Sequence, residues 1–121
     1  MHRLGPEAFK DGVLQRPGRW VVDFSADWCP YCDEFLTTFR GLAGTGSFDT
    51  AIGDLTDLEN PLWEEFEVDI VPTVIAFRDG AVVFRADGRR AEGLHSDDLR
   101  GLREALDHGP VRPRPSGRNR P

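Results

Sequence analysis

Trp20-Val21-Val22-Asp23-Phe24-Ser25-Ala26-Asp27-Trp28-Cys29-Pro30-Tyr31-Cys32 is the stretch from which the fold can be read. Its first five residues are nearly all apolar, the mark of a central strand covered on both faces. Both cysteines of the chain follow at once, three positions apart. From about Cys29 to Leu42, the residues Phe35, Leu36, Phe39 and Leu42 recur at helical spacing. A strand therefore gives way to a helix at the cysteine pair. Two thiols so placed can close and reopen a disulfide with each other. The first would sit at the helix N-terminus, where the macrodipole and free N–H groups favour a thiolate. The competing reading is a pair of buried structural thiols. Asp27-Trp28 before the pair and Pro30-Tyr31 within it argue for an exposed loop-to-helix junction instead.

Working outward, Ala8, Phe9, Val13 and Leu14 predict a short amphipathic helix over Pro6 to Leu14, broken by Pro17-Gly18. Gly44-Thr45-Gly46 is a turn, and Phe48 to Leu55 reads as a second strand. Asn60 as N-cap and Pro61 at the first helical position open another helix, with Trp63 and Phe66 on one face. Trp20, Trp63 and the phenylalanine stripe are assigned to the core. Thr73 to Phe77 is a strand, Asp79-Gly80 a hairpin turn, and Ala81 to Arg85 the returning strand. Gly88 to Gly93 is a loop. Ser96 caps a last helix that turns Leu99, Leu102 and Leu106 inward. The order helix, strand, helix, strand, helix, hairpin, helix predicts an α/β fold. Its mixed central sheet has parallel strands plus an antiparallel hairpin, and helices on both faces.

The length of 121 residues suits one compact domain, expected over residues 1–108. Residues 109–121 shift to Pro, Arg, Gly and Ser and are expected to form a disordered Arg/Pro-rich tail. Docking of that tail on an acidic partner or a membrane surface is the weaker alternative. The net charge is −6, and removing the four tail arginines (+4) leaves −10 on residues 1–108. So acidic a body argues against nucleic acid as the main partner. No apolar stretch reaches the ~20 residues of a membrane span. The start, Met1 to Pro6, lacks the apolar core of a signal peptide, so a cytoplasmic address is expected. Two cysteines make neither a disulfide scaffold nor a four-ligand zinc site. His2, His95 and His108 are scattered and read as surface residues, so no metal is expected.

Val22-Asp23-Phe24, Trp28-Cys29-Pro30-Tyr31-Cys32, Val71-Pro72-Thr73, Asp79-Gly80 and Gly93 together resemble the thioredoxin family, from the start of the chain to about Asp107. The resemblance implies the thioredoxin fold and thiol–disulfide exchange. Cys29 would attack a substrate disulfide, and Cys32 would then resolve the mixed disulfide. The family's buried acid, six residues before the first cysteine, is Asp23 here and would accept the Cys32 proton. An Asp23 facing solvent on an edge strand is the plain alternative. The resemblance gives Pro72 a cis peptide bond facing the cysteines, leaving the Val71 backbone free to pair with substrate. A trans proline that merely starts a strand is the other choice. Trp28, Pro30, Tyr31 and Gly93 complete the expected substrate-binding surface.

Three departures from thioredoxin stand out. Thr37 replaces the kink proline of the active-site helix, Asp54 stands where a lysine is usual, and Pro30-Tyr31 is similar to glutaredoxin. Ala26-Asp27-Trp28-Cys29, Glu34-Phe35 and Asp54-Leu55-Thr56 are similar to the C-terminal thioredoxin-like domain of DsbD. An Asp54 beside Asp23 would raise one of the two acids and oppose thiolate formation. The expected activity is reduction of protein disulfides by a monomer that binds no cofactor. A separate reductase would supply the electrons, because no Gly-rich dinucleotide motif is present. The alternatives are the same site run as an oxidase, or a redox-inactive peptide-binding module or holdase.

Overall fold

A computed structural model describes residues 1–109. The expected tail falls almost wholly outside the described residues. Among the described residues seven strands and three α-helices follow in chain order: β1 (His2–Arg3), β2 (Phe9–Lys10), β3 (Val13–Leu14), β4 (Arg19–Ser25), α1 (Pro30–Arg40), β5 (Asp49–Asp54), α2 (Leu62–Glu65), β6 (Thr73–Arg78), β7 (Ala81–Asp87) and α3 (Leu102–His108). The main sheet has the order β1-β5-β4-β6-β7. Strand β4 pairs parallel with β5 and antiparallel with β6, so it lies at the centre with its backbone groups engaged on both edges.

Alternation along the strands splits the core in two. Trp20, Val22 and Phe24 of β4, with Ile75 and Phe77 of β6, pack on one face against Leu62, Phe66 and the N-terminal residues Phe9 and Leu14. Val21 of β4 and Val74 and Ala76 of β6 pack on the other, against Phe35 and Phe39 of α1 and Leu102 and Leu106 of α3. Asp23 shares the parity of Val21, which carries its carboxylate to the α1 side. Helices on both faces of a mixed sheet are thus found as expected.

Two expectations near the chain ends are corrected. Residues 6–14 form no helix: a 3₁₀ turn at Pro6–Ala8 leads into the two-stranded β2–β3 hairpin. The hairpin turns at Asp11 (φ 52°) and Gly12 (φ 77°), and an Asp-Gly pair at positive φ closes two-residue hairpins. That local preference overrides four apolar residues whose spacing suits a helix. At the other end Ser96 starts a 3₁₀ turn rather than capping a helix, and the Asp98 carboxylate accepts the His95 backbone N–H at 2.8 Å. The chain then breaks at Gly101 (φ 89°) before α3 begins. Asp79 (φ 50°) and Gly80 (φ 92°) form the expected β6–β7 turn.

Candidate active site

The β4–α1 junction places the cysteines. Pro30 takes the first helical position, where its missing N–H costs no hydrogen bond. Cys29 is therefore the N-cap, and its sulfur accepts the Cys32 backbone N–H at 3.1 Å. Both cysteines are free thiols. The Cys29 Sγ donates to the Val71 carbonyl oxygen at 3.5 Å, and the Val71–Pro72 peptide bond is cis. Cys29 is only 5% exposed, less than a fully open junction would leave it. It lies on the floor of an apolar slot of about 280 Å³ whose walls include Trp28, Pro30, Tyr31 and Val71.

Behind the pair, burial has distinct consequences for two titrating groups. The Cys32 thiol is pushed well above the usual thiol range, first by burial and then by its hydrogen bond with Cys29; the nearby Asp23 charge adds to the shift. Asp23 is fully buried, and neither carboxylate oxygen has a hydrogen-bond partner among the described residues. Burial alone pushes its carboxyl up to about 7. The acid is therefore central and shielded, not facing solvent at an edge.

The chain matches the Thioredoxin family model over residues 1–98. It belongs to the thioredoxin family. Thioredoxin of Mycoplasmoides gallisepticum is 31% identical over 88 residues, covering 73% of this chain and 88% of that protein. Thioredoxin of Chlamydia muridarum is 34% identical over 85 residues, covering 70% of this chain and 81% of that one. Among solved structures, a mutant thioredoxin from Halobacterium salinarum superposes with a TM-score of 0.68 at 26% identity, covering 93% of both chains. The paired cysteines and these relatives make the protein a thiol–disulfide oxidoreductase.

Relative to the thioredoxin pattern, Asp54 needs correction. It is exposed, and its carboxyl is held below the usual range by the Thr56 hydroxyl, with Arg3 adding to the effect. It has no part in raising Asp23, whose shift comes from burial alone. Thr37 lies on the exposed side of α1, which runs unbroken to Arg40.

Gly93 (φ 75°) passes so close to the helix that an added Cβ would stand 2.9 Å from the Tyr31 Cβ. Arg89 anchors this loop through a two-pronged contact with Asp98, at 2.7 and 3.2 Å. Gly88 packs directly on the Pro72 carbonyl oxygen, leaving no room for a side chain. Sequence reasoning saw neither Arg89 nor Gly88 as part of the site. Trp63 is the larger miss: it is half-buried and lines the slot, stacked on Trp28 with ring centroids 6.4 Å apart and planes 6° apart. Its indole donates to the Asp57 carbonyl at 3.1 Å, and that of Trp28 to the Thr56 carbonyl at 3.0 Å. The core assignment of Trp63 holds in part, since it packs against the cluster that includes Phe24 and Phe66; only the tertiary approach of α2 to the cysteine loop shows its second place in the slot.

Proposed function

We propose that the chain reduces disulfides of protein substrates, cycling between its dithiol and a Cys29–Cys32 disulfide. Cys29, as thiolate, bonds to one substrate sulfur while the substrate S–S bond breaks, and the departing sulfur takes up a proton. Cys32 then gives its proton to Asp23 and attacks the Cys29 sulfur. The mixed disulfide breaks, the second substrate sulfur leaves as a thiolate that takes up a proton from solvent, and two electrons have passed to the substrate. Asp23 suits this role because its carboxyl, raised to about 7, can hold a proton near neutral pH and release it afterwards. Val71 and Pro72 offer backbone to an extended substrate segment, with Trp28, Pro30, Tyr31 and Gly93 around it.

The observation that carries this reading is the Cys29 sulfur at the helix tip, on the floor of an apolar slot, with a shielded thiol and an unpartnered acid behind it. A separate reductase returns the electrons, and a cytoplasmic setting keeps the donor pool reduced. The proposed working unit is a monomer. Insulin reduction with dithiothreitol as donor tests the activity. A Cys32→Ser variant should accumulate a covalent adduct between Cys29 and substrate, seen by mass spectrometry. Absence of turbidity above the dithiothreitol background, with no adduct, would refute the proposal.

A further inference from the structure

The slot at Cys29 does not end at Trp63. A second hollow of about 590 Å³ adjoins it and shares Trp63 and Asp69 as common walls. The two differ sharply in character. Apart from Cys29 and the shared Asp69 the first is built of aromatic and aliphatic side chains, whereas the second adds Glu59, Glu64 and Glu67. All four acids are exposed, and among the described residues no Lys or Arg lines either hollow. None of the four forms an ion pair among the described residues. Arg85, whose guanidinium reaches the Glu67 carbonyl oxygen, is already paired with Asp87 at 2.9 Å. An extended segment lying over Cys29 and past Trp63 enters the negative field of these four carboxylates.

We infer that the site selects disulfides set in basic segments, with an apolar residue beside the attacked cysteine for the Trp28–Tyr31 slot and Lys or Arg side chains beyond it for the acidic trough. The inference rests on the disulfide-reductase reading and specifies its substrate class. Opposite charge across such a contact speeds encounter, and salt weakens it. Each turnover breaks one substrate S–S bond and leaves two substrate thiols and the Cys29–Cys32 disulfide, which dithiothreitol reduces in the assay.

The test uses the full chain and two fluorescence-quenched peptide disulfides, identical except for paired Lys or paired Glu flanking the cysteine. Each rate is corrected for reduction by dithiothreitol alone. At low ionic strength kcat/KM should favour the Lys peptide roughly tenfold. In about 0.5 M NaCl the ratio should fall to roughly threefold or less, because the screening length shortens to a few ångströms. A variant combining Glu59→Gln, Glu64→Gln and Glu67→Gln should shrink the low-salt ratio similarly. Equal rates for the two peptides, or a preference untouched by salt or by the triple variant, would overturn the inference while leaving the reductase reading intact. Reduction of neither peptide would overturn that reading as well.

Discussion

Replacing Asp23 with Asn should make the protein more stable, and the gain should grow with pH. Burial raises the folded-state carboxyl from an ordinary 3.8 to about 7. Below the unfolded value the carboxyl is protonated in both states and the group is neutral in its effect. Between the two values the unfolded chain has released its proton while the folded chain retains it. Folding then costs progressively more as pH rises, and the penalty is complete above the folded value. The whole shift corresponds to about 4 kcal/mol, of which roughly 2–3 kcal/mol falls between pH 5 and 8. That is a large fraction of the ~5–15 kcal/mol typical of a small domain. Asn keeps the shape and cannot ionise; its unpartnered amide carries a desolvation cost that does not vary with pH. Urea unfolding of the reduced wild type and Asp23→Asn, at half-unit steps from pH 5 to 8, measures the difference directly. The two stability curves should diverge by about 2–3 kcal/mol in favour of Asn across that range. Parallel curves would show that the carboxyl titrates alike in folded and unfolded chains, and the account of this site would fail.

Other consequences can be checked separately. Asp54→Asn should leave the Asp23 titration midpoint unmoved in carboxyl-carbon NMR, because Asp54 is exposed and engaged with Thr56 and Arg3; a clear shift would reinstate coupling between the two acids. Gly93→Val should lower stability by about 1–2 kcal/mol, from a side chain at positive φ and its clash with Tyr31, and should raise KM for peptide disulfides. An unchanged melting temperature and KM would remove Gly93 from the site. Phe35→Ala, at a position only 1% exposed between α1 and the sheet, should cost about 3–5 kcal/mol in denaturant unfolding; a loss below ~1 kcal/mol would mean that the α1 face is not packed as described.

How much could be read from the residues alone depended on how local the cause was. The β4–α1 junction was legible because apolar run, helix stripe and cysteine spacing all act within one short stretch. The β6–β7 hairpin was equally legible, since Asp79-Gly80 specifies its own turn. The same chemistry at Asp11-Gly12 was hidden by apolar residues that also fit a helix, so the N-terminal hairpin was missed. Strand β1 has only two residues and pairs with Ala51 and Ile52, so its existence is a tertiary fact without a local signature. The cysteines, Asp23 and Pro72 could be named in advance, whereas the effect of Asp54 was misjudged. Nothing in the sequence says that its side chain turns outward to Thr56. Trp63 and the acidic trough likewise exist only once α2 packs beside the cysteine loop.

The account stands most directly on the equilibrium between the Cys29–Cys32 dithiol and its disulfide. Poising the purified wild-type chain in graded ratios of reduced and oxidised dithiothreitol or glutathione, then trapping free thiols by alkylation, measures that equilibrium. A single two-electron transition near −270 mV, roughly the thioredoxin value, is the expected result. A midpoint near about −120 mV would make the protein an oxidant. Failure of the two sulfurs to join at any ratio would contradict the account outright.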